Sequence, residues 1–132
     1  MAERTFQPGF RLSALDVIVL IVGCVAAGYV MTVDRWLGIA IAFVVLHFFL
    51  FCNVLRMSRP LELLWAGMFA ALAVAAILFN FLAWPIVFAV ASLMTGVIAF
   101  IQARRPSYHG LGWQKLNPGL PEWWRATGHG EK

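Results

Sequence analysis

The chain has 132 residues, of which 62% are hydrophobic and 12% charged. That charged share is roughly half of what a soluble domain carries, and a water-soluble protein of this size has no interior large enough to hide so much apolar surface. A soluble catalytic domain is thereby excluded. The formal net charge of +4 does not point to nucleic acid either, because the basic residues flank apolar segments and form no soluble basic face.

Residues 1–13 form a polar, basic N-terminal segment. Four apolar segments follow, over 14–31, 36–55, 61–79 and 85–102. Each holds about 18–20 residues, enough at about 1.5 Å per residue to cross a hydrocarbon layer of about 30 Å. No period-two alternation is present to support membrane strands, and helices are the other way to satisfy a backbone in lipid. The expected fold class is therefore all-α: an integral membrane four-helix bundle over 14–102, built of two helical hairpins. A basic, tryptophan-containing C-terminal tail occupies 103–132.

In the first segment, Ile21-Val22-Gly23-Cys24 resembles a bacterial lipobox. Asp16, however, interrupts the apolar run before it, so these residues are read as a small-residue helix face. Asp16 is expected to pair with Arg11, Arg56 or Arg104. Cys24 and Cys52 both lie inside apolar segments, which gives no disulfide framework. The connection Thr32-Val33-Asp34-Arg35 leads to the second segment.

His47 stands near the middle of that segment, where an ionisable group is costly and is expected to face the interior. One reading makes it a haem or metal ligand or a proton-relay group. The other makes it a neutral histidine hydrogen-bonded to a neighbouring helix. The second is favoured, because His109 and His129 lie too far along the tail to supply a second ligand at that depth. Antiparallel pairing would bring Cys24 opposite residues 43–44 and within about a turn of His47. Two ligands are too few for a metal site, so no metal and no cofactor are expected.

The second connection is Arg56-Met57-Ser58-Arg59-Pro60. Pro60 suits a first helical turn, and Glu62 there complements the helix dipole. Asn53 and Arg56, three residues apart, would share a helix face turned away from His47. Arg59 and Glu62 bracket the start of the third helix and read as an ion pair pinning a hairpin. The alternative is an anchor for lipid headgroups or a partner subunit. Asn80 and Trp84-Pro85 mark the third break, since the residue before proline avoids helical geometry. Small residues recur every four positions at Gly67, Ala71 and Ala75 and again at Ala91, Thr95 and Ala99, as close helix packing requires.

Nine of the ten Lys and Arg residues precede the first segment, lie in the second connection or follow the fourth segment; Arg35 is the exception. The positive-inside rule then puts both termini in the cytoplasm, with a bacterial inner membrane the expected host. No acidic residue lies deep in any segment, which argues against ion-coupled transport. In the tail, Tyr108-His109-Gly110 and Leu116-Asn117-Pro118-Gly119 read as turns. Trp113, Trp123 and Trp124, with Arg56, Arg59, Arg104 and Arg105, are the candidate residues for a membrane or protein interface. The tail has too little apolar periodicity for a domain of its own, and the bundle is expected to close without it.

No phosphate-binding glycine loop, nucleophile–base pair or zinc spacing is present. The expected function is non-catalytic: an accessory, assembly or scaffold subunit of a larger membrane complex. Its partners would be the lipid bilayer and other membrane subunits, or further copies of itself. The alternatives are a small oligomeric transporter or channel, and a haem- or metal-binding redox protein using His47.

Overall fold

The computed structural model describes residues 6–79 and 83–127. Helix α1 (Ala14–Met31) begins at a capping box. The Ser13 hydroxyl accepts from the Asp16 amide at 3.2 Å, and the Ser13 amide donates to the Asp16 carboxylate at 2.8 Å. Asp16 thus places its carboxylate on its own helix start, and of the expected arginines Arg11 acts on it at longer range. Asp34 Oδ1 accepts from the amides of Trp36 and Leu37 at 2.9 and 3.0 Å and starts α2 (Arg35–Phe49). Arg35 is therefore the first residue of this helix and not the last of the connection.

Helix α2 widens at its end into a π-helical turn over Leu50–Val54, closed by Leu55 N donating to Leu50 O at 2.9 Å. Helix α3 (Arg59–Phe79) starts two residues earlier than the hydropathy predicts, because Pro60 falls in a first turn, where a missing N–H costs nothing. Pro85 plays the same part in α4 (Trp84–Ala103). Asn80, expected at the third break, lies outside the described residues. The tail adds two short helices, α5 (Trp113–Leu116) and α6 (Leu120–Ala126).

Among the described residues all regular structure is helical. Four helical stretches of 18–21 residues are long and apolar enough to cross a membrane, which is consistent with a multi-pass integral membrane protein.

The helices pack in two different ways. Helices α1 and α2 approach backbone to backbone. A Cβ on Gly38 would stand 2.6 Å from Met31 Cα, and one on Gly23 would stand 2.6 Å from Val45 Cγ2. Between α2 and the α3–α4 pair, large rings fill the space. Phe43 lies 6.2, 5.6 and 5.0 Å from the rings of Trp65, Phe69 and Phe88, and Phe51 lies 5.2 Å from Trp65. Trp65 Nε1 then ties α3 to α4, donating to Ala91 O at 3.2 Å and to Thr95 Oγ1 at 2.9 Å. Ala91 is fully buried beside it, so the small residues of α4 pack inward. Those of α3 do not: Gly67 and Ala71 are exposed, with open space over Gly67.

Candidate functional site

The π-helical turn decides where the termini go. Widening a helix from i+4 to i+5 bonding leaves carbonyls near its end without an in-helix donor. Two such carbonyls are taken by distant segments. Asn53 O accepts from Arg11 N at 3.3 Å, and Val54 O accepts from Leu111 N at 2.7 Å. Gly9 N in turn donates to His109 O at 2.7 Å. The N-terminal segment, the α2–α3 connection and the tail therefore converge at one end of the long helices.

Arg56 makes the turn out of this segment. Its φ of 46° is left-handed, a conformation that costs a side-chain-bearing residue about 1–3 kcal/mol. Met57 N donates to Phe51 O at 2.8 Å across the turn, and the Arg56 guanidinium donates to Gln7 O. The expected shared face with Asn53 is thus broken: Arg56 has left the helix, while Asn53 is buried and donates to Phe49 O at 3.3 Å. Burial, and next the positive charge of Arg11, push the Arg56 guanidinium down from its ordinary value.

Behind this turn lies a cavity of about 430 Å³. Arg56, Ser58 and Arg59 line one side of it, and Gln102 and His109 another. Arg105 Nη1 donates to Ser58 Oγ at 3.0 Å, and Ser58 Oγ is 3.4 Å from Gln102 Oε1. Gln102 itself is 3% exposed. Glu62 also lines the cavity, with Oε1 3.9 Å from the Cys52 thiol. Its expected partner, Arg59, is exposed at the first position of α3. His109 Nδ1 is 2.8 Å from Ser107 O, a contact satisfied when Nδ1 carries the proton. Phe48 lines the cavity from the apolar part of α2.

The tail packs over this end through turns and two short helices. Tyr108 is 1% exposed, and its hydroxyl donates to Leu111 O at 2.8 Å; burial pushes its phenol up from the ordinary value. Asn117 Nδ2 donates to Pro106 O at 2.7 Å and to Tyr108 O at 3.1 Å. A Cβ on Gly110 would meet Leu55 O at 2.6 Å, so only glycine lets the tail come this close to α2. Phe6 places its ring against Trp113 and Trp124, at 6.0 and 5.5 Å.

The other sequence candidates fall elsewhere. The His47 ring stacks on Trp65 at 4.7 Å and 13°, and Nδ1 is 2.8 Å from Phe43 O in its own helix. The expected hydrogen bond to a neighbouring helix is replaced by ring packing. The α1–α2 register agrees with the sequence estimate to within a residue, but it is Gly23 that meets α2 and Cys24 that is exposed. Among the described residues, no group of three His, Cys, Asp or Glu side chains could hold a metal ion. The Arg104 guanidinium lies 4.7 Å from the centroid of the Phe100 ring. Trp123 is partly buried on α6.

The sequence alone does not mark Ser58, Gln102 or Tyr108 as site residues. Gln102 carried a signal, as a polar residue closing an apolar helix; the other two carried none. Comparison with protein-family models, with curated proteins and with solved structures finds no match.

Proposed function

We propose that this protein is a non-catalytic accessory, assembly or scaffold subunit of a larger membrane complex. The long helices form two hairpins in a bilayer, bacterial inner membrane by charge pattern, with both termini cytoplasmic. The observation that carries the subunit reading is the contrast between the two small-residue stripes. Ala91 is sealed against Trp65, whereas Gly67 and Ala71 face outward with room for a backbone to approach. Helix α1 supports the same reading, for it buries Ala27 alone and leaves its other faces uncovered by this chain. An apolar hollow of about 260 Å³ between α2 and α3, lined by Leu37, Val44 and Ala73 among others, adds a further uncovered surface.

The test is isolation from native membranes in mild detergent, with identification of the proteins retained. Gly67→Leu fills the open space on α3 without touching this chain's own core. Retained partners in the wild type that are lost from a folded Gly67→Leu protein support the reading. Identical partner sets, or none in the wild type, reject it. Single cysteines at Thr32 and Ser58, in a background lacking Cys24 and Cys52, should label from opposite sides of the membrane. Labelling of both from one side rejects the hairpin arrangement.

A further inference from the structure

We propose that the cavity between the α2–α3 connection, the end of α4 and the tail binds a phosphate-bearing anion, through Arg56, Arg59 and the Arg105–Ser58–Gln102 relay. The phosphate belongs to a membrane-lipid headgroup or to a soluble phosphate. This inference stands apart from the subunit reading, which concerns the outward faces of α1 and α3.

Arg56, whose guanidinium also donates to Gln7 O, and Arg59 line the wall, and Arg105 bonds the lining residue Ser58, against one lining carboxylate, that of Glu62. Glu62 lies beside the Cys52 thiol. Such an excess of positive charge in a partly enclosed space favours an anion. Burial, and next the positive charge of Arg11, push the Arg56 guanidinium down from its ordinary value. A bound anion would offset the repulsion between these cations.

The polar wall is built into the protein core. Gln102 is 3% exposed, and its carbonyl oxygen faces the Ser58 hydroxyl. Its amide nitrogen donates to no partner among the described residues and remains available at the cavity wall. A phosphate oxygen is a strong acceptor for such a donor. A volume of about 430 Å³ exceeds a bare phosphate and suits a headgroup or a small phosphate ester. Phe48 on the rim extends the cavity along the apolar surface of α2, where an acyl chain would lie. Basic hollows between membrane helices are a recurrent form of lipid-headgroup site.

The experiment uses the full chain and two probes. In the lipid arm, the protein is placed in phosphatidylcholine nanodiscs doped with phosphatidic acid, and retained lipid is counted by native mass spectrometry. In the soluble arm, inorganic phosphate is added to protein in pure phosphatidylcholine nanodiscs and its phosphorus resonance is followed. Arg59→Gln, at an exposed position with ordinary backbone geometry, should weaken binding by about tenfold, the share of one charge-assisted contact. Ser58→Ala removes the relay without altering charge and should weaken it too. Lys115→Gln, which removes the same charge outside the cavity, should leave it unchanged. Binding in the lipid arm alone assigns the site to a membrane lipid; binding in the phosphate arm assigns it to a soluble ligand. Absence of binding in both arms overturns the proposal. So does binding that Arg59→Gln and Ser58→Ala leave intact, or that Lys115→Gln reduces equally.

Discussion

His47 shows how a single polar residue can be placed correctly and partnered wrongly. Its depth and inward orientation follow from the cost of a polar group in lipid. The sequence could not show that a histidine's Nδ1 reaches the carbonyl four residues back, which frees the ring to stack across the helix interface. Since the cross-helix contact is ring on ring, His47→Phe should keep the protein folded, whereas His47→Ala should destabilise it by about 1–3 kcal/mol through lost stacking and a partial void. Thermal unfolding in detergent distinguishes the two; equal destabilisation would give the hydrogen bond to Phe43 the larger role. Glycines supply a second test. Gly38→Ala sets a methyl 2.6 Å from Met31 backbone atoms, which must move apart at a cost of about 1–3 kcal/mol. Gly67→Ala meets nothing within 4 Å and should be neutral or slightly stabilising in the isolated chain. Loss of stability in Gly67→Ala alone would contradict this geometry.

At the scale of elements, the four long helices were legible because a bilayer fixes the length of an apolar segment and caps fix its ends. The boundaries moved by one or two residues where Arg35 and Pro60 entered a first turn. The π-helical turn was not legible: Leu50–Val54 contains neither glycine nor proline, and its hydropathy continues that of α2. What stabilises it is distant in sequence, the amides of Arg11 and Leu111 that take its carbonyls. The turn and the docked tail should therefore be coupled. Gly110→Ala drives a methyl into Leu55 O and Val54 O, at 2.6 and 2.8 Å, and should lift the tail from α2. Tyr108→Phe removes the 2.8 Å bond to Leu111 O at a cost of about 1 kcal/mol and should loosen the same contact. Amide exchange at residues 50–57 and 108–111 should accelerate in both variants, more in Gly110→Ala. Unchanged exchange at 50–57 would show that the π-helical turn holds by itself.

For the whole molecule, lysine and arginine counts anticipated a common side for the N-terminal segment, the second connection and the tail. Gly9, Arg11, Val54, His109 and Leu111 do meet at one end of the helices. Composition does not show what the tail packs against within the chain. Without long-range information its tryptophans read as anchors for an outside surface, yet Trp113 and Trp124 both contact Phe6, and Tyr108 and Leu120 are buried. Each spanning helix still satisfies its own backbone, so a chain ending after Ala103 should insert normally. Its cavity, however, would lose the His109 wall, and Val54 O would lose the Leu111 amide. Truncation should therefore leave membrane insertion intact, speed exchange at 50–57 to the level seen in Gly110→Ala or beyond, and lower the unfolding temperature of the solubilised protein. A truncated chain with the exchange pattern and unfolding temperature of the full one would return the tail to the role first read from its sequence, an appendage that contacts something other than this bundle.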